Sequence, residues 1–160
     1  MKTAKFLLTC LLVTFSFAAY AKSVNAQALP ARIRSYLNTN YSGWALNSVA
    51  NNCYPKFKRA VVIGDFDGDK KREYVVKIAQ GQRGYFIALL DRRGDYEAHV
   101  LESLSIAEMK RTGLSISRRG EKYIVDYDNQ IYGRLSNDAP LIGTCESHAW
   151  NRIYRNGRFQ

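Results

Sequence analysis

The chain reads as an α+β domain: an N-terminal helix packed on a meandering antiparallel β-sheet, with one disulfide. Three observations predict this class. Turn signals recur about every ten residues after the first helical pattern, with no long helical periodicity between them, which favours a meander over βαβ units. A single amphipathic helical pattern stands near residue 30. Two cysteines, Cys53 and Cys145, remain once an N-terminal leader is set aside.

That leader occupies residues 1–21. Lys2 and Lys5 give a positive start, and residues 6–19 form an apolar run. Small residues then stand at signal-peptidase spacing, Ala19 and Ala21, with a second candidate pair at Ala26 and Ala28. This is the layout of a secretory signal peptide. The run is shorter than the ~20 residues a spanning helix needs. The expectation is therefore a periplasmic or secreted protein with no membrane span after signal removal. Residues 29–160 form a single domain.

Pro30 opens the helix at a position proline tolerates. Ile33, Tyr36 and Leu37 follow at helical spacing, and the stretch 41–43 ends it. Strands are expected over 44–49, 60–63, 73–79, 85–90 and 96–102, with a short helix or loop over 103–111. A hairpin is expected between 114–118 and 122–127, turned by Arg119 and Gly120. The C-terminal segment 148–159 carries an Asn156-Gly157 turn signal. No internal repeat occurs, which excludes a propeller built within this one chain.

Two cysteines in an exported chain predict one bridge. Cys53–Cys145 would close a loop of roughly 90 residues, worth up to ~4.6 kcal/mol in the chain-entropy model. Two thiolates are too few for a cysteine zinc site. The net charge is +10, and the leader holds two lysines and no acid, so its loss leaves +8. The first acid in the chain is Asp65. Such a basic surplus suits an anionic glycan, lipopolysaccharide or a protein partner. The plainer reading, which the sequence favours, is solubility in a secreted protein. No long basic run or nucleic-acid motif accompanies it, which disfavours nucleic acid.

The stretch GDFDGDKKREY, residues 64–74, carries the densest chemistry. Calcium takes several oxygen ligands around a tight turn. Asp65, Asp67 and Asp69 stand at alternate positions, and Gly68 permits the sharp turn between them. Lys71 would offer its backbone carbonyl, and Glu73 would close the sphere. An EF-hand is excluded, because Val76 stands where its last acid belongs. The competing reading is a two-residue hairpin at Asp67-Gly68. Register separates the two. A tight turn would set Val62 opposite Glu73, whereas a longer loop sets Val61, Val62 and Ile63 opposite Val76, Val75 and Tyr74. Cross-strand apolar pairs favour the longer loop. Its carboxylates need a counter-charge, which either a cation or the internal Lys70, Lys71 and Arg72 would supply.

These residues resemble the D-x-D-G-D-x-x-x-D calcium loop of FG-GAP and VCBS-type repeats. The likeness covers some fifteen residues. The wider chain resembles small exported bacterial proteins of unknown function that carry one such loop after an N-terminal helix. The resemblance implies Ca²⁺ held by Asp65, Asp67, Asp69, the Lys71 carbonyl and Glu73 between two strands. Two positions depart from the family pattern: Lys70 stands where glycine is usual, and Glu73 where aspartate is usual.

Other constellations are poorer. His99 and His148 have no nucleophile placed with them by any local signature. Arg93-Gly94-Asp95 sits between two strands, where it reads as a turn. The leading expectation is an exported, non-enzymatic protein with a weak structural calcium loop. The alternative is a secreted binding or inhibitor module acting through a basic surface.

Overall fold

The computed structural model describes residues 29–48, 55–145 and 148–160. The leader, Val49 and Cys53 lie outside the described residues. Helix α1 (Ala31–Asn40) starts directly after Pro30, whose carbonyl accepts from the Arg34 amide at 3.1 Å. No side chain caps its start. Its hold on the protein is tertiary: Ile33 and Leu37 are fully buried.

Strands β1 (Ala45–Leu46), β2 (Val61–Gly64), β3 (Glu73–Gln80), β4 (Arg83–Arg92) and β5 (Asp95–Ser105) form one antiparallel sheet. β3, β4 and β5 are the expected meander. β1 and β2 lie end to end along the other edge of β3. β1 faces Ile78 and Ala79, and β2 faces residues 73–76. The strand expected over 44–49 shortens to Ala45–Leu46, because only the far end of β3 is left for it to pair with.

Both faces of this sheet are covered, which explains the unbroken apolar runs of β3 and β4. Val76, Ile78, Ile87 and Leu89 pack with Ile33 and Leu37 beneath α1. Val75, Phe86, Ala88 and Leu90 pack on the opposite face. There they meet Met109 of the short helix α2 (Ile106–Met109), which a reciprocal Ser105–Glu108 capping box starts.

Seven strands follow: β6 (Thr112–Ser117), β7 (Lys122–Asp126), β8 (Ile131–Arg134), β9 (Ala139–Thr144), β10 (Ala149–Asn151), β11 (Tyr154–Arg155) and β12 (Arg158–Phe159). They make a three-stranded sheet β10-β9-β6 and two separate hairpins, β7–β8 and β11–β12. The protein is thus mostly antiparallel β, spread over several sheets rather than one. The hairpin expected between 114–118 and 122–127 does not form. β6 pairs with β9, and β7 pairs with β8. The reason is burial. β6 is almost wholly inside and sets Leu114 opposite Ile142, both fully buried, whereas β7 is a largely exposed strand. The Asn156-Gly157 turn forms as expected between β11 and β12, with both residues at positive φ.

Candidate metal centre

The loop over residues 65–72 joins β2 to β3 in the longer register. Val61 faces Val76, Val62 faces Val75, Ile63 faces Tyr74, and Gly64 faces Glu73. Phe66 turns inward and is fully buried with Val62, Val75 and Phe86. This anchor sets the path of the residues on either side. Gly64 is required by close approach: a Cβ there would meet the Phe66 ring, an Asp138 carboxylate oxygen and Ile116, all under 3.0 Å. Gly68 is required by conformation, with φ +89°. Lys70, at the position where the resembled loop has glycine, also takes a left-handed backbone with φ 66°. The backbone thus has the shape glycine would favour, at a strain cost for a lysine.

One oxygen from each of Asp65, Asp67 and Glu73 lies within 4.8 Å of the others, close enough to hold one metal ion. Asp65 and Asp67 are half-buried and Glu73 is fully buried. The Glu73 Oε2 accepts from the Phe66 amide at 2.8 Å and the Asp67 amide at 3.2 Å. Its Oε1 is buried and has no hydrogen-bond partner among the described residues. Burial, aided by the charges of Asp67 and Asp69, pushes the Glu73 carboxyl up to about 7, against the pull of the two amides.

The other members of the predicted set stand apart. The Asp69 carboxylate accepts from the Lys71 amide and the Lys71 ammonium, at 2.8 and 2.7 Å. That contact holds Asp69 below the usual carboxylate range and raises Lys71. Both side chains lie at the surface, so the pair adds little to stability. Lys70 and Arg72 are exposed.

Two contributors carry no local signal in the sequence. Arg92, at the end of β4, pairs with Asp67 and with Glu97, and its other nitrogen reaches the Tyr154 hydroxyl at 3.1 Å. The hydrogen bond to Asp67 is the main reason its guanidinium is held even more firmly charged than usual. Asp138 closes the loop from the second sheet. Its amide donates to the Asp65 carbonyl, and its carboxylate accepts from Arg118 and from the Arg119 amide. The loop thereby ties the two sheets together.

His99 contacts Glu97 at 3.0 Å and packs edge-on to Tyr154 and Phe159, and no nucleophile accompanies it in these contacts. Cys145 follows β9, half-buried against Phe57. No helix among the described residues is long and apolar enough to cross a membrane. Compared with known proteins, the chain matches no family model, no curated protein and no solved structure.

Proposed function

We propose that this is an exported, non-enzymatic protein whose 65–73 loop holds a structural Ca²⁺. The observation that carries the reading is Glu73 Oε1, a buried oxygen without a partner, within a cluster that also offers Asp65 and Asp67. Three carboxylates are a hard-oxygen donor set of the kind calcium takes. The loop joins two strands and is tied to both sheets, so an ion there would fix architecture and do no chemistry. Arg92 already neutralises part of the charge on Asp67, so the expected affinity is weak, at the millimolar end of extracellular modules.

The test is a thermal melt of the purified protein with CaCl₂ and with EDTA. At ten times Kd, binding to the native state alone adds about 1.4 kcal/mol, a Tm rise of roughly 3–8 °C. Glu73→Gln should abolish the rise. A melting temperature indifferent to saturating calcium would sink the reading.

The same reading places Cys53 and Cys145 in one disulfide, in keeping with export. Intact mass should rise by two hydrogens on reduction. An unchanged mass would remove the bridge from the account.

A further inference from the structure

A groove of about 560 Å³ runs beside the β7–β8 hairpin, well away from the acidic loop. Residues 122–125 line one side of it and residues 149–151 line another. Successive strand residues point to opposite faces. Four in a row can line a single groove only where the groove follows the strand's edge. β7 pairs with β8 alone and β10 with β9 alone, and no residue of β8 lines the groove. The edge of β7 that faces the groove is therefore unpaired among the described residues. An unpaired edge is a template for another strand.

The lining has a definite chemistry. Lys122 and Arg155 bring positive charge, and no Asp or Glu is among the described residues that line it. Arg155 is fixed in place by donating to the Tyr123 hydroxyl at 2.8 Å. Ile124, Val125 and Trp150 bring exposed apolar surface, at 47%, 58% and 37% exposure. Five of the seven large hydrophobics exposed among the described residues belong to this one hairpin and its turn. A hairpin of two strands is marginal alone and gains from a third.

We propose that this groove binds an extended, acidic segment of a partner protein, added as a strand along β7. The segment's amides would pair with the β7 edge. Its carboxylates would meet Lys122 and Arg155, and its alternate apolar side chains would meet Ile124, Val125 and Trp150. Charge disfavours the other occupants. A second copy of this chain carries +10. The chain's own N-terminal segment has no acid before Asp65. The proposal is independent of the calcium reading.

The probe is an eight-residue peptide alternating Glu and Val, with an alternating Lys and Val peptide as control. Binding is read from Trp150 emission, with Trp44→Phe to remove the contribution of Trp44, and from amide hydrogen exchange. The Glu peptide should bind saturably, slow exchange along β7 and lose affinity at high salt. Lys122→Glu, an exposed substitution, should weaken it about tenfold or more. Four results would overturn the proposal: no binding of the Glu peptide at millimolar concentration, equal binding of the Lys peptide, undiminished binding to Lys122→Glu, or protection of β7 by self-association without peptide. Tighter retention on vesicles of anionic lipid than by the peptide, with β7 protected there, would also overturn it in favour of a membrane surface.

Discussion

Phe66→Ala should lower the stability of the folded chain by about 3–5 kcal/mol, the usual cost of emptying a fully buried aromatic site. Phe66 has no exposure and packs on the face of β2, β3 and β4 that carries Val62, Val75 and Phe86. Few atoms nearby are free to close the gap. Its ring also comes within 2.8 Å of where a Cβ on Gly64 would stand, so strand and loop are packed through the same side chain. For a domain of this length the drop in Tm is roughly 10–20 °C. The substitution should have a second effect. The Phe66 amide holds Glu73 Oε2, and the buried ring keeps that amide in place. Without it the three carboxylates lose their fixed spacing, so any rise in Tm with CaCl₂ should shrink. Phe66→Leu refills most of the volume and should recover most of both effects. Urea midpoints with and without calcium measure them. A loss below about 1 kcal/mol for Phe66→Ala, typical of a surface change, would show that the ring does not anchor the loop.

The path of this loop was legible in the sequence because it depends on neighbours. Val61, Val62 and Ile63 find apolar partners in only one of the two registers, and the observed pairing is that one. The N-terminal helix and the Asn156-Gly157 hairpin were legible for the same reason: their signals lie within a few residues. What the sequence hid depends on distant partners. Arg119-Gly120 is a sound local turn signal, yet β6 turns away to pair with residues more than twenty positions later. β9 was disguised by Pro140, which lacks the amide a strand interior needs. It is tolerated at the second position of the strand, where the pairing with β10 has already ended at Leu141.

Arg92 was hidden in a subtler way. The sequence offered Lys70, Lys71 and Arg72 as counter-charges to the loop, and Lys71 does bind Asp69. The cation on Asp67 is instead Arg92, 25 residues away. Register would have found it. Tyr74 faces Leu89, so Leu90 stands beside Glu73 and the last two residues of β4 run past the start of β3, alongside the loop. Asp138, 73 residues from Asp65, leaves no comparable trace.

The metal-free protein should be least stable near neutral pH, because two fully buried groups titrate there in opposite senses. Glu73 is raised to about 7 by burial. Its folded-state pKa lies above the unfolded value, so its contribution is complete below about 4.5 and is lost as pH climbs to 7. The loss is on the order of 3 kcal/mol at most. Lys77, on the face of β3 toward Met109, is lowered to about 7, again by burial. Its ammonium has the Met109 carbonyl at 2.9 Å and the Phe86 ring at 5.7 Å. A lysine with a depressed folded-state pKa contributes stability above about 10.5 that is lost as pH falls to 7, here on the order of 5 kcal/mol at most. The two slopes meet near 7 and produce a minimum. Each arm has its own control. Glu73→Gln should flatten the fall between pH 4.5 and 7, and Lys77→Met should flatten the rise between 7 and 10.5. Saturating calcium should act on the first arm only. An ion needs the Glu73 carboxylate deprotonated, so binding releases a proton, lowers its folded-state pKa and flattens the fall between pH 4.5 and 7. Urea midpoints across pH 4–10, with EDTA and with CaCl₂, measure both arms. A calcium effect on the alkaline arm that persists in Glu73→Gln would show that the ion binds elsewhere. A metal-free profile flat between pH 4.5 and 7 would show that Glu73 is not the uncompensated buried acid that the loop needs an ion to relieve.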